Sequence, residues 1–122
     1  MKKHKLSPEV LKVTKSNYRK ILNFLRKDKD YRFIFKNNLD KENKKYFGKA
    51  YKRLLGMINP NNETIFVALD NEDFLTSIFH EILHVIHKHD SECHIDKSAI
   101  RVRKYLDSKK FKTIMTLVLD RI

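Results

Sequence analysis

Between Leu75 and Ile86 the chain carries Leu75, Ile78, Phe79, Ile82, Leu83, Val85 and Ile86, a set that no strand period accommodates but one helix does. At 100° per residue, with His80 at zero, these side chains fall on an arc of about 140° to 300°, whereas His84 lies at about 40° and His87 at about −20°. A helix over about Glu72 to Lys88 must therefore bury one face and present a row of imidazoles on the other. The remainder of the fold has to supply a core for that apolar arc. Asp70-Asn71-Glu72-Asp73 provides a cap and acidic first-turn residues at its start, and Asp90-Ser91 marks the next stop and start.

The other elements follow from local signals. Ser7-Pro8-Glu9 opens a helix that runs to near Lys27 on Val10, Val13, Ile21, Leu22 and Leu25. Tyr31 to Phe35 is aromatic and β-branched, as in a strand, and Lys36 to Lys45 reads as a loop or short helix. Arg53 to Ile58 and Thr64 to Leu69 flank Asn59-Pro60-Asn61-Asn62, a hairpin turn between two antiparallel strands. Ser91 caps a helix to about Leu106 with Ile95, Ala99, Val102 and Leu106 as its stripe, and Phe111 to Leu119 forms a last helix. The expected class is α+β: an N-terminal helix, a small antiparallel sheet, the histidine-bearing helix and two C-terminal helices. Only two Gly and two Pro occur in 122 residues, which disfavours a turn-rich β-sandwich. One domain is expected over 1–122, with a basic N-terminal helix in 1–30 and the chemical core in 53–107.

Charge is distributed unevenly. Of the net +12, residues 1–62 carry +13, residues 63–98 carry −6 and residues 99–122 carry +5. Five of the six histidines lie in the acidic segment. The basic N-terminal half suits a nucleic-acid partner. Cys93 is the single cysteine, so no intrachain disulfide forms, and the N-terminus has no apolar signal-like run. A cytoplasmic protein without a membrane span is expected.

The chemistry is concentrated in His80-Glu81-Ile82-Leu83-His84. Imidazoles at i and i+4 lie about one turn apart and can share one Zn²⁺ at about 2.0–2.1 Å each. Glu81, about 100° round from His80, flanks such an ion without binding it, in place to act as general base. A catalytic zinc site needs a third protein ligand. His87 lies about 10 Å along the helix from His80, too far to share the ion, and is left beside the site or on the surface. Asp90 stands where a resemblance to the metzincin arrangement would imply a third ligand, but that arrangement implies a Gly at position 87 for a sharp turn, and His stands there. Glu92 lies within about 80° of the stripe of the following helix and so faces the motif. Asp96 is intermediate and His94 points away. The order of candidates is Glu92, Asp96, His94, Asp90. Cys93 reads as a small half-buried residue, and Tyr46, Tyr51 and Tyr105 are candidate oxyanion donors with no basis for choosing.

His80 to Ile86, preceded by Ile65-Phe66-Val67-Ala68-Leu69 and followed by Ser91-Glu92 and a helix with Ile95, Ala99 and Leu106, resembles the zincin metallopeptidases. The nearest likeness is to small phage or prophage HExxH proteins, and more loosely to the ImmA/IrrE and SprT-like families. It covers about residues 53–107. In ImmA/IrrE-like proteins a Glu after the motif is the third ligand, often with Ala three residues on; here Ile95 follows Glu92 and the spacing is short. SprT-like proteins use a later His, and none follows His94. The resemblance implies a minimal zincin-like fold and zinc-dependent hydrolysis of a protein or peptide, with Glu81 moving the proton between water and the leaving amine. An extended substrate is expected to pair with Thr64 to Leu69 if that strand lies at an edge. The alternative is a basic nucleic-acid-binding or regulatory protein with a structural or vestigial metal site.

Overall fold

In a computed structural model of the chain, residues 7–27, 31–37, 39, 56–59, 63–69 and 73–121 are described, those of 56–59 by their backbone. The elements are α1 (Pro8–Lys27), β1 (Arg32–Lys36), β2 (Gly56–Asn59), β3 (Thr64–Ala68), α2 (Phe74–Ile86), α3 (Glu92–Tyr105) and α4 (Ser108–Leu119). The class is α+β and mostly helical, as expected. The reading of Lys36 to Lys45 as a loop or short helix lies outside the described residues apart from Lys36, which instead ends β1, Asn37 and Leu39; residues 53–55 of the expected strand, 60–62 of the hairpin turn and the acidic start at 70–72 also lie outside them.

Each described helix start is a side-chain cap that the sequence supplies. Ser7 Oγ accepts from Val10 N–H at 3.2 Å, Ser91 accepts from His94 N–H at 3.2 Å, and Asp107 accepts from Lys110 N–H at 2.8 Å. These bonds satisfy N–H groups that the first helical turn leaves without partners. At α2 the cap is Asp73, so the helix begins at Phe74, two residues later than the acidic run suggests, and it closes at His87 rather than Lys88. Helix α4 begins at Ser108, three residues before the expected Phe111, with the Asp107 side chain as its cap.

The sheet departs from the expected antiparallel one. Its order is β1-β3-β2; β2 pairs antiparallel with β3, as the hairpin requires, but β1 pairs parallel with β3, Phe33 opposite Ile65 and Phe35 opposite Val67. A turn dictates only the strands it joins, and a parallel pair is closed by a long connection with no local signature. The condition that Thr64 to Leu69 lie at an edge is not met: β3 is central and paired on both sides. Its unbroken Thr-Ile-Phe-Val-Ala run fits a strand covered on both faces. Ile65 and Val67 enter the main core, while Ala68 and Phe66 pack with Leu39 on the other side.

The core lies where α1, α2 and α3 meet that inner face. Leu75, Ile78, Phe79, Ile82 and Leu83 of α2, Ile95, Ala99 and Val102 of α3, and Tyr18, Ile21 and Leu25 of α1 are buried together. At about 1.5–3 kcal/mol for each large side chain removed from water, this cluster fixes α2 against α3. Val13, expected on the buried face of α1, is 53% exposed, and Thr14 and Asn17 are buried instead.

Candidate metal centre

Burying the apolar arc of α2 turns its histidine arc toward the first turns of α3. His80 and His84, one helical turn apart, bring their Nε2 atoms to 2.8 Å. Glu92, the first residue of α3, reaches both: its Oε1 lies 2.7 Å from His80 Nε2 and its Oε2 lies 2.8 Å from His84 Nε2. One nitrogen from each imidazole and one carboxylate therefore converge, the only such His, Cys, Asp or Glu group among the described residues. Glu92 remains 66% exposed while His80 is 20% exposed, so the cluster has a protein side and an open side. Its position at a helix N-terminus also suits a carboxylate, because the dipole there is positive.

Asp96, one turn further along α3, contacts the other ring nitrogen of His80, Nδ1, at 2.7 Å. Sequence reasoning places Asp96 among the alternative third ligands; the structure puts it behind His80 instead. The angular position of Asp96 on its helix cannot tell which imidazole nitrogen it meets, and that distinction decides its role. A carboxylate on Nδ1–H fixes the ring and leaves the Nε2 lone pair directed into the cluster.

The donor set fits a zinc ion. Two neutral imidazoles carry two N–H groups, and one is held by Asp96. A single remaining proton cannot satisfy the three close contacts among two Nε2 atoms and a carboxylate, so the cluster requires an added proton or a cation. Ligands at 2.0–2.1 Å in a tetrahedral site stand about 3.3 Å apart. The present spacing of 2.7–2.8 Å needs an opening of only about half an ångström to hold one. Two histidines and a glutamate leave a fourth position free, as catalytic zinc sites do.

Glu81 is half-buried on α2 and has no hydrogen bond or ion pair among the described residues. Burial, then the negative charges of Glu92 and Asp96, push its carboxyl up to about 8. Glu81 is thus a half-buried carboxyl acted on by the two acids of the cluster.

The other candidates lie elsewhere. His94 is outward, 3.6 Å from Asp90, which pairs with it across one turn of chain. Cys93 is exposed rather than half-buried. His87 donates through Nε2 to Asn17 Oδ1 of α1 at 3.1 Å, a tie between two helices and the reason a polar Asn17 is buried. Burial, then Lys20, lowers the pKa of His87 from its ordinary value, with Asp90 opposing and His94 assisting. Tyr105 packs edge-on against Tyr18 with ring centroids 5.6 Å apart, in the core region. Tyr46 and Tyr51 lie outside the described residues. Comparison with known protein families, with curated proteins and with solved structures returns no match.

Proposed function

We propose that this chain is a zinc-dependent peptidase of the HExxH kind on a minimal zincin-like scaffold. The observation that carries the reading is the convergence of His80 Nε2, His84 Nε2 and the Glu92 carboxylate within 2.7–2.8 Å while Asp96 holds Nδ1 of His80. His80, His84 and Glu92 would hold the ion, and Asp96, on Nδ1 of His80, would keep that ring in register. A zinc ion held by these residues would supply Lewis acidity, toward water and toward the scissile carbonyl oxygen. Glu81, on the same helix as the two histidines and flanking them, would take a proton from water and return it to the leaving amine. The open side of the cluster at Glu92 is the side from which substrate enters. With β3 paired on both sides, an extended substrate would align on β2, the outermost strand of the described sheet on the side where α2 packs.

The test is Glu81→Gln in a peptide-library cleavage assay with zinc content measured on the same preparation. Retained stoichiometric zinc with cleavage reduced by at least about a hundredfold supports the reading. Cleavage unaffected by Glu81→Gln, or absent from zinc-loaded wild type across the library, contradicts it.

A further inference from the structure

The outer face of α1 carries a row of cations that the metal centre does not use. With Lys12 at zero, Lys15, Arg19, Arg26, Lys27 and Lys20 fall within about −60° to 80°, and the buried Asn17, Ile21, Leu25 and Phe24 fall within about 120° to 220°. The six cations are all exposed, cover about 22 Å of helix axis, and none is paired with a carboxylate among the described residues. Ser16 and Asn23 stand within the same arc, are exposed, and with Lys12, Lys15, Arg19 and Lys20 line one shallow depression. Cations interleaved with neutral hydrogen-bonding groups along a rigid rod suit a row of phosphates. A membrane surface is a poor match, since an amphipathic helix binds lipid through its apolar face and here that face is in the core.

We infer that the exposed face of α1 binds the phosphate backbone of nucleic acid, positioning the chain on it without reading sequence. A phosphate-dominated contact has a steep salt dependence: neutralising four phosphates gives a slope of about −3.6, so affinity falls about 150-fold between 50 and 200 mM salt. The full chain is titrated into a fluorescein-labelled 20-base-pair DNA duplex, with fluorescence anisotropy read at both salt concentrations. Two triple variants remove equal charge: Lys12→Gln with Lys15→Gln and Arg19→Gln on α1, and Lys104→Gln with Lys109→Gln and Lys112→Gln on α3 and α4. Glutamine keeps helix propensity, and circular dichroism checks the fold; if the first triple unfolds, Lys15→Gln with Arg19→Gln replaces it.

The α1 variant is expected to lose at least about tenfold in affinity and to flatten the salt slope by about two to three, with the other variant within about threefold of wild type. Equal losses in both variants, an unaffected α1 variant, a wild-type affinity insensitive to salt, or tighter binding to phosphatidylserine vesicles than to the duplex would each overturn the inference.

Discussion

Asp96 and His87 show how one side chain's environment decides what its neighbour can do. Asp96 is 52% exposed, so by itself it adds little stability, yet its contact with Nδ1 of His80 determines which lone pair faces the cluster. Asp96→Asn is expected to weaken zinc binding about 10- to 100-fold, measured by competition with a chromophoric chelator, with the thermal midpoint of the metal-free protein nearly unchanged. Equal affinity in the variant would show that the contact does not orient the ring. His87 behaves differently, since its folded pKa is lowered below the ordinary 6.5 by burial and then by Lys20. The unfolded chain accepts a proton below pH 6.5 that the folded chain resists. The stability contributed by the neutral ring is therefore complete above 6.5 and lost as pH falls through the lower folded value. Denaturant titrations between pH 7.5 and 5 should show a smaller acid loss in His87→Gln than in wild type; identical slopes would contradict the assignment.

At the scale of elements, the approach of α2 to α3 is what assembles the site, and Asp73 secures one end of it. Its Oδ1 accepts from Thr76 N–H at 3.3 Å and from Arg103 Nε at 3.2 Å, and its Oδ2 accepts from Thr76 Oγ1 at 2.8 Å. Burial opposes ionisation of this carboxyl, but the hydrogen bonds from Thr76 and Arg103 prevail and hold its pKa below the ordinary value. Asp73 is 44% exposed, so the ion pair is screened and the cap dominates. Asp73→Ala is expected to cost about 1 kcal/mol, and at most about 2, read as a lowered denaturation midpoint at unchanged slope. A midpoint equal to wild type would deny the cap its role. The helices were legible in sequence because such caps and apolar arcs are local. The β2–β3 hairpin was legible for the same reason, whereas the parallel partnership of β1 with β3 depends on a distant connection that leaves no mark on either strand.

Over the longest sequence distances, the end of α1 and the start of β1 are joined to the segment after α4 by a residue that sequence reasoning passed over. The Arg121 guanidinium donates to the carbonyls of Phe24, Leu25 and Tyr31, while Phe33 N–H donates to the Arg121 carbonyl. A cation there satisfies carbonyls that the last turn of α1 leaves open. Nothing around Arg121 in sequence signals a contact about a hundred residues away. The candidate site divides along the same line. His80, His84 and Glu81 follow from helical spacing, and Glu92 from the stripe of α3, but the placement of Asp96 on Nδ1 and of His87 on Asn17 requires three helices at once. The uneven charge also takes physical form: the cations of α1 lie opposite its core-facing side, and the acids of residues 63–98 include Glu81, Glu92 and Asp96 around the imidazoles. No helix among the described residues is long and apolar enough to cross a membrane.

Everything proposed for the site depends on His80, His84 and Glu92 together holding one ion. Calorimetric titration of the chelator-treated full chain with ZnCl₂ tests it most directly, with His80→Ala, His84→Ala and Glu92→Gln titrated in parallel. Wild type is expected to bind one equivalent, and all three variants to lose it or bind it far more weakly. Absence of zinc binding by wild type, or one equivalent bound equally well by the two histidine variants, would contradict it.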